Sequence, residues 1–507
     1  MKKLWKKLLA VTTAVMMAIT LLPAMANANA TDGKGSVTII KNGEESDEFL
    51  AGAKFSFYKI ASITNSEGKD WKYTVEEAYR KQLGDNGIAK NLNNLPSSAW
   101  EAEIDVLAAI NATAIKESKA SAEETGSTGA TELPLGVYLV KETTTPAGYV
   151  ASKPFIVSVP STDNYDTAGK EGTKFIYDIT AKPKNSKMSV DKTIVNEDKT
   201  AYIGGFVEYK VETQIPKYGT EYTNPVFNIY DKMSNGLSFV NDAAHKLKVF
   251  VGGTEIVEGK NTYTLATNGL SDEKTFEIQF AKAFLENKEN KGKKVEVTYY
   301  AQVNENAVYI NENSANITYQ NKPGETTDAT PSKKNVYTYG IDLIKKGDKS
   351  ADADGLDGAE FTLAAANGEM ISILVNGKKV AVNGESKGGF QTTTVENKKG
   401  KLVFKGLKAG TYTLTETKSP SGYSLAKNPI TIVITANADG SFASATVNEN
   451  TVTDDVKDGI VPVGLQNKSG FSLPATGGMG TYLFTIGGLV IMAGAALLLI
   501  ASRKRRA

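Results

Sequence analysis

The chain has 507 residues, 41% hydrophobic and 23% charged, with 58 Lys and Arg against 57 Asp and Glu for a net charge of +1. That balance argues against nucleic acid or any other polyanionic partner. A single histidine, His245, and no cysteine remove the commonest residues of metal sites, catalytic triads and thiol nucleophiles, and no metal or cofactor is expected.

Lys2, Lys3, Lys6 and Lys7 precede an apolar run from Leu8 to Leu22 and the small-residue sites Ala26-Asn27-Ala28 and Ala28-Asn29-Ala30. This reads as a secretory signal peptide over residues 1–30. Short runs rich in Val, Ile, Thr, Tyr and Phe follow, broken by Gly, Asn and Asp turns. This is the pattern of all-β sandwiches. The first run, Ser36 to Lys41, places Val37, Ile39 and Lys41 on one face by alternation. A lysine therefore ends an apolar face.

A capping box at Ser98 and Glu101, with Trp100, Ile104, Leu107 and Ala108 at helical spacing, predicts a helical insertion covering one side of the first sandwich. A low-complexity loop near Ser121 to Thr131 returns the chain to strands. Gly136-Val137-Tyr138-Leu139-Val140-Lys141-Glu142-Thr143 precedes Pro146-Ala147-Gly148-Tyr149. The same pattern returns as Gly410-Thr411-Tyr412-Thr413-Leu414-Thr415-Glu416-Thr417 before Pro420-Ser421-Gly422-Tyr423. These are two copies of one module. The second copy has its own first strand, Ile341 to Lys345, and its Leu356-Asp357-Gly358-Ala359-Glu360-Phe361 matches Leu50-Ala51-Gly52-Ala53-Lys54-Phe55. Between the copies, about 186–335, lies a separate sandwich. Its Asn321 to Lys334 stretch reads as a linker, and Lys468 to Ser472 as a second tether. Asp348, Asp352, Asp354 and Asp357 lack the closing glutamate of a calcium loop and read as a polar loop.

The chain ends with Leu473-Pro474-Ala475-Thr476-Gly477, an uncharged span from Thr481 to Ser502, and the cluster Arg503 to Arg506. About 22 mostly apolar residues are long enough to cross a bilayer core, and the basic cluster marks the inner side. Without both ends roughly 440 residues remain, about three domains.

In both modules a strand ending in an inward lysine is followed by a strand with an inward glutamate. Buried side by side, such a pair is costly unless it is neutralised. Burial drives the lysine towards a neutral amine and the acid towards its protonated form. With an asparagine held beside them, fixed proximity allows the amine to attack the carboxamide. The product is a Lys-Asn isopeptide bond, with ammonia lost.

The motif, span and basic tail resemble the LPxTG sorting signal read by sortase transpeptidases in Gram-positive bacteria, which implies cleavage between Thr476 and Gly477. The repeated Tyr-x-(Leu or Val)-x-Glu-Thr-x-x-Pro-x-Gly-Tyr element resembles the E-box of Cna-B-type domains. The whole layout is similar to the major, shaft-forming pilins of sortase-assembled pili. That resemblance implies an all-β chain of three tandem Ig-like sandwiches: 31–185, ending in a pilin motif; 186–335, similar to Cna-A-type domains; and 336–468, of Cna-B type. Residues 469–507 are then the sorting signal, transmembrane helix and tail.

The resemblance also implies the pairing Lys345 to Asn467 with Glu416 as acid, Lys346 being the competing lysine. It implies Lys192 to Asn313 with Asp231, where Asn311 and Asn316 compete, and Lys41 to Asn185 with Glu142. Thr180-Ala181-Lys182-Pro183-Lys184-Asn185 resembles the motif whose lysine joins subunits, which gives that role to Lys184, with Lys182 a second amine. A class C sortase would then link Thr476 of one subunit to Lys184 of an identical one. A housekeeping sortase would attach the fibre, with its minor pilins, to peptidoglycan on the cell surface. The chain would be no enzyme beyond its self-catalysed bonds, and a host ligand is left open. The rival reading is a monomeric wall-anchored adhesin or a minor pilin at tip or base, for which Lys184 is dispensable.

Overall fold

The computed structural model describes residues 33–43, 48–66, 70–83, 104, 106–162, 175–352, 354–366, 368–382, 389–453, 456, 458–470 and 485–496. The signal peptide, the capping box at Ser98 and Glu101, and Leu473 to Gly477 lie outside the described residues. The chain divides into two compact units. One holds residues 1–199, 205–306 and 310–336; the other holds 200–204, 307–309 and 337–507.

In the first unit Lys34–Ile40 is the middle strand of a three-stranded sheet. It runs parallel to Asp178–Ala181 and antiparallel to Ser127–Pro134. The expected loop near Ser121 to Thr131 is thus already strand from Ser127 onward, where the chain pairs with Lys34–Ile40. The opposing sheet contains Lys54–Ser66, Asp70–Val75, Gly136–Thr144 and Phe155–Val159. Val37, Ile39, Phe55, Phe57, Tyr138 and Val140 fill the space between the sheets. The outer face of the second sheet is covered as well. Ile60, Val137 and Leu139 pack there on Tyr79, Leu83, Leu107 and Ala108. Burial on both faces explains why Gly136–Thr144 reads as a continuous apolar run rather than an alternating one.

The middle sandwich, in the same unit, has two six-stranded sheets. One is centred on Phe206–Gln214 and Lys294–Val303; the other places Phe227–Met233 beside Ile310–Lys322. The predicted linker from Asn321 to Lys334 is mostly strand. Gly324, at φ 81°, takes the left-handed turn that folds Glu325–Asp328 back on Ile310–Lys322, and Ser332–Tyr337 pairs with that strand too. The Thr content that suggests a linker instead suits an edge strand.

The second unit is a sandwich of two six-stranded sheets. Ile341, Leu343, Phe361, Leu363, Leu402, Phe404, Tyr412, Leu414, Ile432, Val461 and Val463 form its core. Its first strand, Tyr339–Gly347, runs parallel to its last, Ile460–Asn467. The first domain pairs its ends the same way, Lys34–Ile40 with Asp178–Ala181. Residues 485–496 are helical, inside the span expected from Thr481 to Ser502, whose remaining residues lie outside the described ones. No helix among the described residues is long and apolar enough to cross a membrane.

Candidate functional site

Lys345 shares a strand face with Ile341 and Leu343 and is fully buried, whereas Lys346 on the opposite face is exposed. Glu416 shares the face of Tyr412 and Leu414 and is also buried. The parallel register sets Asn467 opposite Gly347, two pairs beyond Lys345 and Leu465 and therefore on the lysine's face. All three meet at one carboxylate. Lys345 Nζ lies 3.9 Å from Glu416 Oε1. Asn467 Nδ2 donates to Oε1 at 2.9 Å and Oε2 at 3.0 Å, and the Ala426 amide donates to Oε2 at 2.8 Å. Among the described residues Asn467 Oδ1 has no hydrogen-bond partner. Burial pulls the Lys345 amine down to about 8, against the opposing pull of Glu416.

The first domain repeats the arrangement. Lys41 is fully buried just beyond its strand, with Nζ 3.4 Å from Glu142 Oε2 and donating to the Pro183 carbonyl at 3.0 Å. Asn185 Nδ2 donates to Glu142 Oε1 at 2.9 Å. The Ser152 amide and hydroxyl both donate to Oε2 at 2.8 Å. Asn185 Oδ1 is again without a hydrogen-bond partner among the described residues, and burial lowers Lys41 to about 8.

In the middle sandwich a tyrosine joins the trio. Lys192 Nζ is 2.5 Å from Asp231 Oδ2 and donates to the Tyr299 hydroxyl at 2.5 Å. Tyr299 donates to Asp231 Oδ2 at 2.5 Å and accepts from Asn313 Nδ2 at 3.2 Å. Of the competing asparagines, Asn311 donates to the Val336 carbonyl and Asn316 to the Tyr230 hydroxyl. Asn313 is therefore the one joined to Lys192 through Tyr299. Burial lowers Lys192 to about 8 and raises both Asp231 and Tyr299, although Lys192 pulls Asp231 the other way. Asp231 Oδ1 and Asn313 Oδ1 are without partners among the described residues.

Tyr299, Ser152 and Ala426 were not anticipated from the sequence. Only Tyr299 carried a signal, as an inward position of the alternating strand Lys294–Val303. In each cluster a desolvated amine, a carboxylic acid and a carboxamide come together away from water. Such a group can form an amide and release ammonia.

Lys184 is exposed, bridged in parallel to Asn42, and immediately precedes the buried Asn185. Lys182 is half-buried two residues earlier. No group of three or more His, Asp or Glu side chains among the described residues is placed to hold a metal ion. Asp357 accepts from the Gly400 amide and the Thr394 hydroxyl.

A prealbumin-like fold domain family matches residues 35–173 and 341–450, and an LPXTG cell wall anchor motif matches 466–507. The chain is 28% identical over 492 residues to fimbrial subunit type 2 of Actinomyces naeslundii, covering 89% of this chain and 82% of the relative. It is 27% identical to fimbrial subunit type 1 of Actinomyces viscosus, covering 73% of each chain. Among solved structures, its fold is similar to the T6 backbone pilin of Streptococcus pyogenes, with a TM-score of 0.57 at 19% identity over 87% of this chain and 99% of that one. It is also similar to the major pilin SpaD of Corynebacterium diphtheriae, with a TM-score of 0.50 at 21% identity over 86% and 98%. The repeated domain, the terminal anchor and relatives matched across most of their length agree: the chain belongs to the Gram-positive major pilins, structural subunits of cell-wall-anchored pili.

Proposed function

We propose that this subunit is held together and joined to its neighbours by amide bonds made from lysine side chains. The reading is carried by one repeated observation: three fully buried lysines, Lys41, Lys192 and Lys345, each packed against a buried acid whose cluster includes an asparagine with an unpartnered Oδ1. A half turn of the carboxamide exchanges Nδ2 and Oδ1, so a protonated acid can donate to the oxygen and polarise Cγ. The neutral amine attacks Cγ, the C–N bond to the original amide nitrogen breaks, and that nitrogen leaves as ammonia with the amine's proton. The acid serves each bond once. The subunit is therefore a self-modifying substrate and not a turnover enzyme.

Between subunits, a class C sortase would cut after Thr476 and pass its carbonyl to Lys184 of an identical chain. A housekeeping sortase would pass the last subunit, with any minor pilins, to peptidoglycan. Exposure of Lys184 beside the buried Asn185 supports this assignment over Lys182, which is partly covered. Each internal crosslink closes a loop of more than about 100 residues, worth roughly 5 kcal/mol on the chain-entropy account. That replaces the bracing an exported chain without cysteine lacks. Intact mass of the secreted ectodomain tests the internal bonds, because three bonds remove three ammonias. A mass equal to that of the unmodified residues refutes them.

A further inference from the structure

The two copies of the Pro-x-Gly-Tyr element make the same contact. In the first domain Tyr149 pairs with Lys187, and the Met188 amide donates to the Gly148 carbonyl at 2.7 Å. In the last domain Tyr423 pairs with Ser469, and the Gly470 amide donates to the Gly422 carbonyl at 2.9 Å. Both contacts fall two and three residues after the asparagine of the cluster, Asn185 or Asn467. Gly148 and Gly422 adopt φ of 83° and 85°, a left-handed conformation that a side chain would strain. The element thus clasps the strand that leaves the asparagine.

In the first domain that strand continues into the middle sandwich. In the last it continues into the sorting signal, and further bonds hold it. The Ser424 amide donates to the Lys468 carbonyl at 2.9 Å. Asp348 accepts the Ser469 amide at 2.9 Å and the Ser469 hydroxyl at 3.4 Å. Those bonds from Ser469 hold the Asp348 carboxyl below its ordinary range.

We infer that Asp348, with Gly422 and Tyr423, is a positioning residue for subunit joining: it fastens residues 468–470 so that only residues 471–475 separate the folded domain from Thr476. The inference rests on the proposed Thr476 to Lys184 linkage. Six extended residues reach about 20 Å, so the reactive carbonyl stays within a short radius of Gly470. Releasing the clasp back to Asn467 adds three residues, roughly 10 Å, and enlarges the volume the carbonyl explores. Its effective concentration at the receiving amine then falls. Cutting between Thr476 and Gly477 requires only the motif. In the transfer, the Lys184 amine bonds to the Thr476 carbonyl, the bond to the enzyme's nucleophile breaks, and that nucleophile takes the amine's proton. Water is the competing acceptor.

The test uses the precursor with its sorting signal and a purified class C sortase, scoring cleavage by mass and linked products on a denaturing gel. Two variants are compared with wild type: Asp348→Ala, and an insertion of Gly-Ser-Gly after Gly470. Both should be cut within twofold of the wild-type rate, yet form at least threefold less linked dimer, with hydrolysed monomer rising to match. Hydrogen exchange at Ser469 and Gly470 should quicken in Asp348→Ala while the Val463 and Leu465 amides stay protected. Unchanged dimer yield in both variants overturns the inference, as do Ser469 and Gly470 amides that exchange at loop rates in the wild type. A wild type that forms no ladder, or a Lys184→Ala chain that still forms one, overturns the linkage itself and the clasp's role with it.

Discussion

Lys184 and Asn185 are consecutive residues on opposite sides of one short bridge: the lysine is exposed, whereas the asparagine is 1% exposed and donates to Glu142. Alternation along an extended backbone separates them, so one segment presents an outward amine and an inward carboxamide. The two roles should therefore come apart on mutation. Lys184→Ala should abolish the detergent-resistant ladder and leave the number of lost ammonias unchanged. Asn185→Ala should lose one ammonia fewer, relative to its own sequence mass, than wild type. A ladder that survives Lys184→Ala would pass the linking role to another amine, of which Lys182 is the nearest in sequence.

Parity made much of this legible. Ile341, Leu343 and Lys345 alternate with exposed or half-buried neighbours, so the choice of Lys345 over Lys346 needed only a count of two. The repeated Glu-Thr-x-x-Pro-x-Gly-Tyr element likewise singles out Glu142 and Glu416, which lie beside the buried Lys41 and Lys345. Choosing among Asn311, Asn313 and Asn316 was different in kind. Asn311 and Asn313 share a face, and both are fully buried. What separates them is the register that sets Met233 opposite Asn313, together with Tyr299, which reaches the cluster from the other sheet. Neither fact is local to the strand. The strands after Asn321 were missed because composition there mimics a linker, while the hairpin depends on Gly324 and on the long partner strand preceding it.

Glu416 is bonded to Asn467 and lies beside Lys345 within a closed core. Glu416→Gln keeps the shape and removes the acid, so the last domain should fold with Lys345 and Asn467 unjoined. Relative to its own sequence mass, the variant should lose one ammonia fewer than wild type. Loss of a crosslink worth roughly 5 kcal/mol should lower that domain's melting temperature by roughly 15 °C or more. Calorimetry measures the drop, and a variant that melts with wild type would show the bond contributes nothing to stability.

The pH response should differ between joined and unjoined chains. In Asn467→Ala the amine of Lys345 persists, still beside Glu416. Burial lowers it in the folded state from 10.5 to about 8, so between those values the unfolded chain binds more protons than the folded one. Stability of the unjoined last domain should therefore rise as pH climbs from about 8 to 10.5 and be lowest below about 8. In a wild type carrying the proposed bond, that lysine would be an amide and would not titrate. Denaturant unfolding across this window should give a rising curve for Asn467→Ala and no contribution from Lys345 in wild type. Parallel curves would mean that the unjoined lysine is not desolvated.

Tyr299 tests the middle cluster most directly, because its hydroxyl touches all three reacting groups while its ring packs on Phe276 and Tyr209. Tyr299→Phe keeps the ring contacts and removes the bridge. Asn313 Nδ2 then loses its acceptor, and Asp231 loses the hydroxyl donor while keeping Lys192. Leaving buried polar groups short of a partner costs about 1–3 kcal/mol, which is small against the loss of alignment. The expected outcome is a folded middle sandwich in which the Lys192 to Asn313 bond forms more slowly than in wild type. A mass time course after refolding should show the third ammonia leaving late or not at all. If it leaves at the wild-type rate, the hydroxyl is only a packing neighbour, and Asp231 alone aligns the amine with the asparagine.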